Sequence, residues 1–275
     1  MHAILTVANK EFHDGLRNRW VMSISIIFAL LATGLAYFGA AASGQAGFTN
    51  LSTTLVSLAS LAVFVIPLIA LMLAYDGVVG EDESGTLLLL LTYPLSRWQL
   101  LIGKMMGHWM ILACSTLIGF GMSAIIMGLF SDNTSWAELI GPYAFFITFS
   151  ILLGWIFIAI AYMISAAVSE KSKAAGLALI VWFVFVFMFD LSLLGLLVGT
   201  EGNVNAQLFP YLLLLNPTDV FRLIIIDFFA NQQLTGLMAV AQQAQFSTST
   251  LIFSLIIWFL TPVACAVALF SKRKL

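Results

Sequence analysis

Few residues in this chain have the type and spacing that chemistry needs. Met105, Met106, His108 and Met110 cluster, and soft thioethers suit Cu(I). Methionine is equally a filler of irregular apolar gaps, and the chain carries 11 of them. The cluster is therefore assigned to packing, and no metal ligand is assigned. Cys114 and Cys265 lie far apart in apolar segments, with no C-x-x-C, so neither a disulfide framework nor a thiolate site is indicated. His2 and His13 stand alone. A phosphate loop is absent: Gly103-Lys104 is followed by Met105, and position 98 is Trp where the motif requires Gly. No H-E-x-x-H, paired carboxylates or nucleophile–base set lies in the apolar segments. The expectation is a chain that is not an enzyme, with no catalytic residue and no cofactor of its own.

What remains is charge in unusual company. Asp190 sits inside "WFVFVFMFDLSLLG", where an acid within apolar sequence marks a functional candidate. Its candidate partners are Arg222 and Ser192, and the alternative is an acid near enough to the interface to be hydrated. "NPTDVFRLIIID" places Asp219 and Arg222 at i,i+3, a pairing distance on a helix that Asn216 or Thr218 can cap. Pro217, Asp219 and Arg222 then form a rigid platform, or a self-satisfied structural helix. Third, Glu81, Asp82 and Glu83 run into five leucines, Leu87 to Leu91, closed by Pro94.

The elements that hold these groups follow from composition. The chain has 275 residues, 61% hydrophobic and only 9% charged, with net charge -2. Soluble domains average about 25% charged residues, and a mean hydropathy of +1.05 points to an all-α membrane protein in a lipid bilayer. A hydrocarbon core of about 30 Å needs roughly 20 apolar helical residues, and six segments qualify, near 20–42, 55–79, 105–130, 143–168, 174–198 and 250–270. With both termini cytoplasmic, ten of the eleven basic residues fall inside and Arg222 alone outside. "GAAASGQA" after the first segment resembles a signal-peptidase site, but the preceding apolar stretch exceeds the usual 7–15 residues, so the segment is kept as a membrane helix. Residues before Trp20 repeat Ile4, Leu5, Ala8, Phe12 and Leu16 at helical spacing, which suits an interfacial helix. The stretch 199–249 is too apolar for disorder, and its pieces are too short to span. It is expected to form short helices that lie on or dip into the outer face, packed on protein.

The leucine run cannot cross. A helix over 84–93 is about 15 Å long, half the hydrocarbon thickness. Ser84 suits its start and Pro94 stops it after Tyr93. The result is a short cytoplasmic helix that is apolar all round. One face can pack on the bundle. The other meets lipid or enters a groove on another protein.

A cytoplasmic loop after the second apolar segment reading Glu-Asp-Glu-Ser-Gly-Thr, then leucines, then Thr-Tyr-Pro-Leu-Ser-Arg, resembles the coupling-helix region of ABC-2-type ABC transporter permeases. The resemblance covers nearly the whole chain: six helices, an N-terminal interfacial helix and a large re-entrant outer segment before the last helix. "KEFHDGLRNRW", "AYDGVVGEDESGTLLLLLTYPLSR" and "LNPTDVFRL" are similar to the subfamily whose complexes help assemble the copper centres of nitrous oxide reductase. The resemblance implies a single transmembrane domain, 1–275, in a bacterial inner membrane. It implies a separate cytoplasmic ABC ATPase carrying ATP and Mg, a second copy of the chain and a periplasmic copper-maturation partner; no nucleic acid is expected. Glu81, Asp82, Glu83, Gly85, Thr86, Leu87, Leu88, Leu90 and Pro94 would then be the ATPase-coupling residues, the acids facing basic residues at the groove rim. The loop "SEKSK" offers a second inner contact, or an ordinary basic turn. Small-residue stripes at Ala32, Ala36, Ala40 and Gly44 and at Gly103 and Gly107 suit close helix packing between copies or within one. An exporter of a lipid, drug or other small substrate is the alternative within the family. A secondary transporter centred on Asp190 is disfavoured by the missing inverted repeat.

Overall fold

The computed structural model describes residues 2–17, 19–38, 51–130, 135–200, 209–229 and 246–273. Every element among them is helical. In chain order these are α1 (His2–Arg17), α2 (Arg19–Phe38), α3 (Leu51–Ala74), α4 (Val79–Glu83), α5 (Thr86–Thr92), α6 (Arg97–Phe130), α7 (Trp136–Ala167), α8 (Lys171–Phe183), a π turn (Val184–Met188), α9 (Phe189–Gly199), α10 (Phe209–Leu213), α11 (Pro217–Phe228) and α12 (Thr248–Lys272).

Five stretches are long and apolar enough to cross a membrane: Leu51–Glu83, Arg97–Phe130, Trp136–Ala167, Lys171–Gly199 and Thr248–Lys272. The chain is a multi-pass membrane protein. Each expected segment from the second to the sixth falls on one of these, the fourth overrunning its helix by one residue at Val168, and the helices mostly run past the apolar windows. α6 starts at Arg97, not near 105, because its polar first turns are anchored by partners described below. The apolar part of α2 in this count, Ile26–Phe38, is short of a span, and residues 39–42 of the expected first segment lie outside the described residues. The stretch 199–249, expected on the outer face, contains α10 and α11, with 201–208 and 230–245 outside the described residues.

α7 is the central post. It has little helical amphipathicity because it needs none: nearly every residue from Leu153 to Tyr162 is buried, as expected of a helix apolar all round. α3, α6 and α12 pack around it. Its start is fixed by a capping box, Ser135 with Glu138. α1 lies along α6, and the small stripe explains how. A Cβ on Gly103 would sit 3.0 Å from the Ile4 carbonyl, and one on Gly107 3.0 Å from that of Ala8. The Gly103/Gly107 stripe is therefore used within the chain. Ala32 and Ala36 are buried within it too, while Ala40 and Gly44 lie outside the described residues.

The leucine helix differs from its expected bounds. The acids form a helical turn of their own, α4, which Ser84 closes. Ser84 Oγ donates back to the Gly80 carbonyl at 2.9 Å, so it does not cap the next helix. Gly85 follows at φ 72, the left-handed region that glycine enters freely. α5 then runs Thr86–Thr92, about 10 Å long. Its end is as expected: Tyr93 is extended before Pro94. Nor is the helix unpartnered on all sides. Leu87 is buried and Leu90 and Leu91 pack on the core, whereas Leu88 and Leu89 are 58% and 64% exposed.

Candidate functional site

Two polar clusters stand at opposite ends of the bundle. The first surrounds α4 and α5. Lys104, nearly buried on α6, donates from Nζ to Glu11 Oε1 of α1 at 2.7 Å and to Glu81 Oε1 of α4 at 2.8 Å. Glu81 uses its other oxygen to accept from the Thr86 hydroxyl at 2.8 Å, which ties α4 to the first residue of α5. Asp82 accepts from Arg273 Nη2 at 2.5 Å. The same arginine donates from Nη1 to the Ser165 and Ala166 carbonyls at 3.1 and 3.2 Å, at the otherwise unpaired end of α7. Glu83 accepts from the Lys171 backbone N–H at 2.6 Å, at the start of α8. Lys171 Nζ pairs with Asp76 at 2.7 Å, so the "SEKSK" turn is occupied by the chain's own acids. Ser165 Oγ accepts from both Val78 and Val79 N–H groups at 3.0 Å, two of the free donors at the start of α4.

Each of the three acids thus reaches a different element: α6 and α1, the end of α12, and α8. Arg97, at the start of α6, reinforces the second link by donating from Nη1 to the Ser271 and Arg273 carbonyls at 3.1 and 2.7 Å. Glu81, Asp82 and Glu83, expected to face basic residues at a partner's groove rim, each have a partner within the chain, with Glu83 still exposed. Burial opposes the charge of Glu11, but Lys104, followed by Lys10, outweighs it, and the carboxyl titrates below its ordinary value. Glu11, Asp76, Glu81, Lys104, His108 and Lys171 line a polar cavity of about 320 Å³. His108 Nδ1 lies 2.8 Å from the Tyr162 hydroxyl. Met105 is buried in the core while Met110 is exposed, so these two do not converge on one point.

The second cluster joins α9 to α11. Arg222 Nη1 donates to Asp190 Oδ2 at 2.7 Å and to Asp219 Oδ1 at 3.1 Å. Of the two partners proposed for Asp190, Arg222 is the one it takes; Ser192 Oγ donates instead to the Met188 carbonyl at 2.6 Å. Asn216 caps α11 by accepting from the Thr218 N–H at 3.1 Å, with Pro217 at the first helical position. The Asn216 amide donates to Asp219 Oδ2 at 3.0 Å and to the Phe185 carbonyl at 2.9 Å. Phe185 belongs to the π turn, a distortion that takes backbone groups off the regular helical ladder. α12 also holds this region, since Trp258 Nε1 donates to the Leu214 carbonyl at 3.0 Å.

Pro217 and Asp219 were expected on the face of a partner platform. Both are buried, because the cap and the Arg222 pair turn them into the bundle. The exposed apolar groups beside them are Tyr211, Leu215 and Phe228. Sequence reasoning missed the π turn, the Phe185 carbonyl and the Arg97–Arg273 clamp. The first two have no residue signal. Arg273 was hidden among Lys272 and Lys274, which satisfy the positive-inside pattern without implying a specific contact.

The model of the family described as ABC-2 family transporter protein matches residues 5–275. A probable ABC transporter permease protein NosY from Stutzerimonas stutzeri is 50% identical over 274 residues, 99% of each chain. A protein of the same description from Pseudomonas aeruginosa is 50% identical over 275 residues, 100% of each chain.

Proposed function

From the premise that this chain belongs to the ABC-2 transporter family, we propose that it is the membrane subunit through which a separate cytoplasmic ATPase drives an event on the far side of the membrane. It is a permease subunit and not itself the catalyst. In this reading the basic end of the bundle and both termini face the cytoplasm, supported by the sequence bias of ten of the eleven basic residues to that side. Six segments cross, the first being the expected one to which α2 belongs. α1 lies in the inner interface, and α10–α11 form the re-entrant outer element.

The observation that carries this reading is the mounting of α5. Leu88 and Leu89 project from a seven-residue helix whose support, α4, is tied by ions and hydrogen bonds to α1, α6, α8 and the end of α12. An apolar knob on such a frame suits a groove in the ATPase, which brings ATP and Mg. Glu81, Asp82 and Glu83 act as struts behind the knob, and Gly85 and Thr86 set its angle. Leu87 anchors it and Pro94 ends it.

The 50% identity to proteins named NosY supports a role in maturation of nitrous oxide reductase, with a periplasmic copper-handling partner and a second copy of the chain. In this reading copper is handled by the partners. Mass spectrometry of what co-purifies with the tagged chain tests it. An ATPase together with a periplasmic maturation protein supports the reading. An ATPase alone, with a lipid or drug transported, would replace it by the exporter alternative.

A further inference from the structure

We propose that Asp190 and Asp219 share one proton beside Arg222, forming a proton-binding site that docks α11 on the α8–α9 helix and loosens when the proton leaves. The inference is independent of which partners the complex has.

It starts from a charge mismatch. Both carboxylates sit on the same guanidinium nitrogen, at 2.7 and 3.1 Å. Asp219 has no exposed surface. Among the described residues, the elements packed on α11 bring no second cation. α3 has no charged residue, α12 has only Lys272 at its far end, and α10, the π turn and the rest of α9 have none. α7 brings Glu138, which is engaged with the Ser135 N–H at 3.1 Å. Asp227, on α11 itself, accepts from Thr248 Oγ1 at 2.9 Å. From Ala174 to Ser271, Arg222 is the sole basic residue in the sequence, and residues 39–50 and 131–134 add only Asp132. Nothing outside the described segments can therefore supply the missing charge at this end.

One fully buried carboxylate, Asp219, and one partly exposed one, Asp190, against one cation leave an excess negative charge, which the low-dielectric surroundings of Asp219 remove by retaining a proton. A second observation shows where it is needed. Asp190 Oδ1 is buried and accepts no hydrogen bond. The two aspartate side chains lie within hydrogen-bond reach of each other, so a proton on Asp219 supplies that donor, while Asn216 and Arg222 continue to serve the oxygens of Asp219. In line with this, burial, then the neighbouring Asp190, push the Asp219 carboxyl up to about 8. A carboxyl raised in the folded state binds more protons folded than unfolded. Its contribution to docking is complete below the ordinary aspartate value of 3.8 and is lost as pH rises through about 8.

Infrared spectroscopy of the full chain in lipid nanodiscs tests the site. At about pH 6 the wild type should show the carbonyl stretch of a protonated carboxyl, and it should disappear by about pH 10. Asp219→Asn should abolish it. Asp190→Asn should abolish it too, because Asp219 then pairs with Arg222 alone and releases its proton. Glu138→Gln should leave it intact. Hydrogen exchange in α11 should quicken with pH in the wild type beyond the intrinsic rate, and not in Asp190→Asn. Folded wild type without the band at about pH 6 would overturn the proposal. So would a band that survives unchanged in both aspartate variants, or one lost in Glu138→Gln. If a variant fails to fold, the wild-type titration still decides.

Discussion

The two ends of this bundle solve opposite problems. At the basic end, cations are plentiful, and each acid of α4 has its own partner on a separate element. Loss of one link leaves others. At the far end a single arginine serves two carboxylates, and the helix it anchors is otherwise held by a cap, a π-turn carbonyl and apolar packing. The contrast teaches where each end is vulnerable. The basic end is a distributed frame suited to carrying force. The far end is a single joint suited to being released.

The largest effect should come from removing that joint's cation. Arg222→Met leaves the fully buried Asp219 and the partly exposed Asp190 without their cation, at a cost of about 3 kcal/mol, the low end for a broken buried pair. Thermal unfolding in detergent should fall accordingly, with α11 becoming protease-sensitive. A shift as small as that of an exposed lysine substitution would erase the distinction between the ends.

Lys104→Met is the corresponding cut at the basic end. It leaves Glu11 and Glu81 without their shared cation, but Thr86 and Lys10 still reach them. About 2–3 kcal/mol is expected. Proteolysis should release α1 while α7 and α12 stay protected. Equal loss of protection throughout the bundle would contradict a distributed frame.

Gly85→Ala is smaller. It forces a left-handed backbone on a residue with a Cβ, costing roughly 1–2 kcal/mol. A Cβ there meets open space, so the strain is conformational only. α5 should tilt, and ATPase stimulation should drop while unfolding of the bundle is nearly unchanged. Smallest is a pH effect on α1. The Glu11 carboxyl is lowered, so its stabilisation is present above its unfolded value and is lost as pH falls through the lowered one. Hydrogen exchange in α1 should quicken in acid, and Glu11→Gln should abolish that dependence.

Much of this was legible from composition and spacing. Apolar length located five long helices, and the i,i+3 spacing of Asp219 and Arg222 foretold their pair. Pro94 ended α5 as expected. The start of α5 was not legible, because serine caps forward or bonds backward depending on the glycine that follows. The roles of the acids were also hidden. Glu81, Asp82 and Glu83 look like one outward patch in sequence, yet helical α4 turns each in a different direction. Their partners, Lys104, Arg273 and Lys171, are up to about 190 positions away, a distance that no local pattern bridges. The buried positions of Pro217 and Asp219 were missed for a similar reason: a cap that also bonds a distant π-turn carbonyl leaves no trace in local spacing.

The measurement closest to the central claim is association of the full chain with its ATPase after Leu88→Asp and Leu89→Asp. These side chains are exposed, so the bundle should insert and unfold as the wild type does. Each buried leucine is worth about 2 kcal/mol, and a charge in an apolar groove adds to the loss. Association should therefore weaken by at least about 100-fold in a pull-down or titration. Wild-type affinity in both variants would contradict the account, since the knob on its ionic frame would then not be what the ATPase holds.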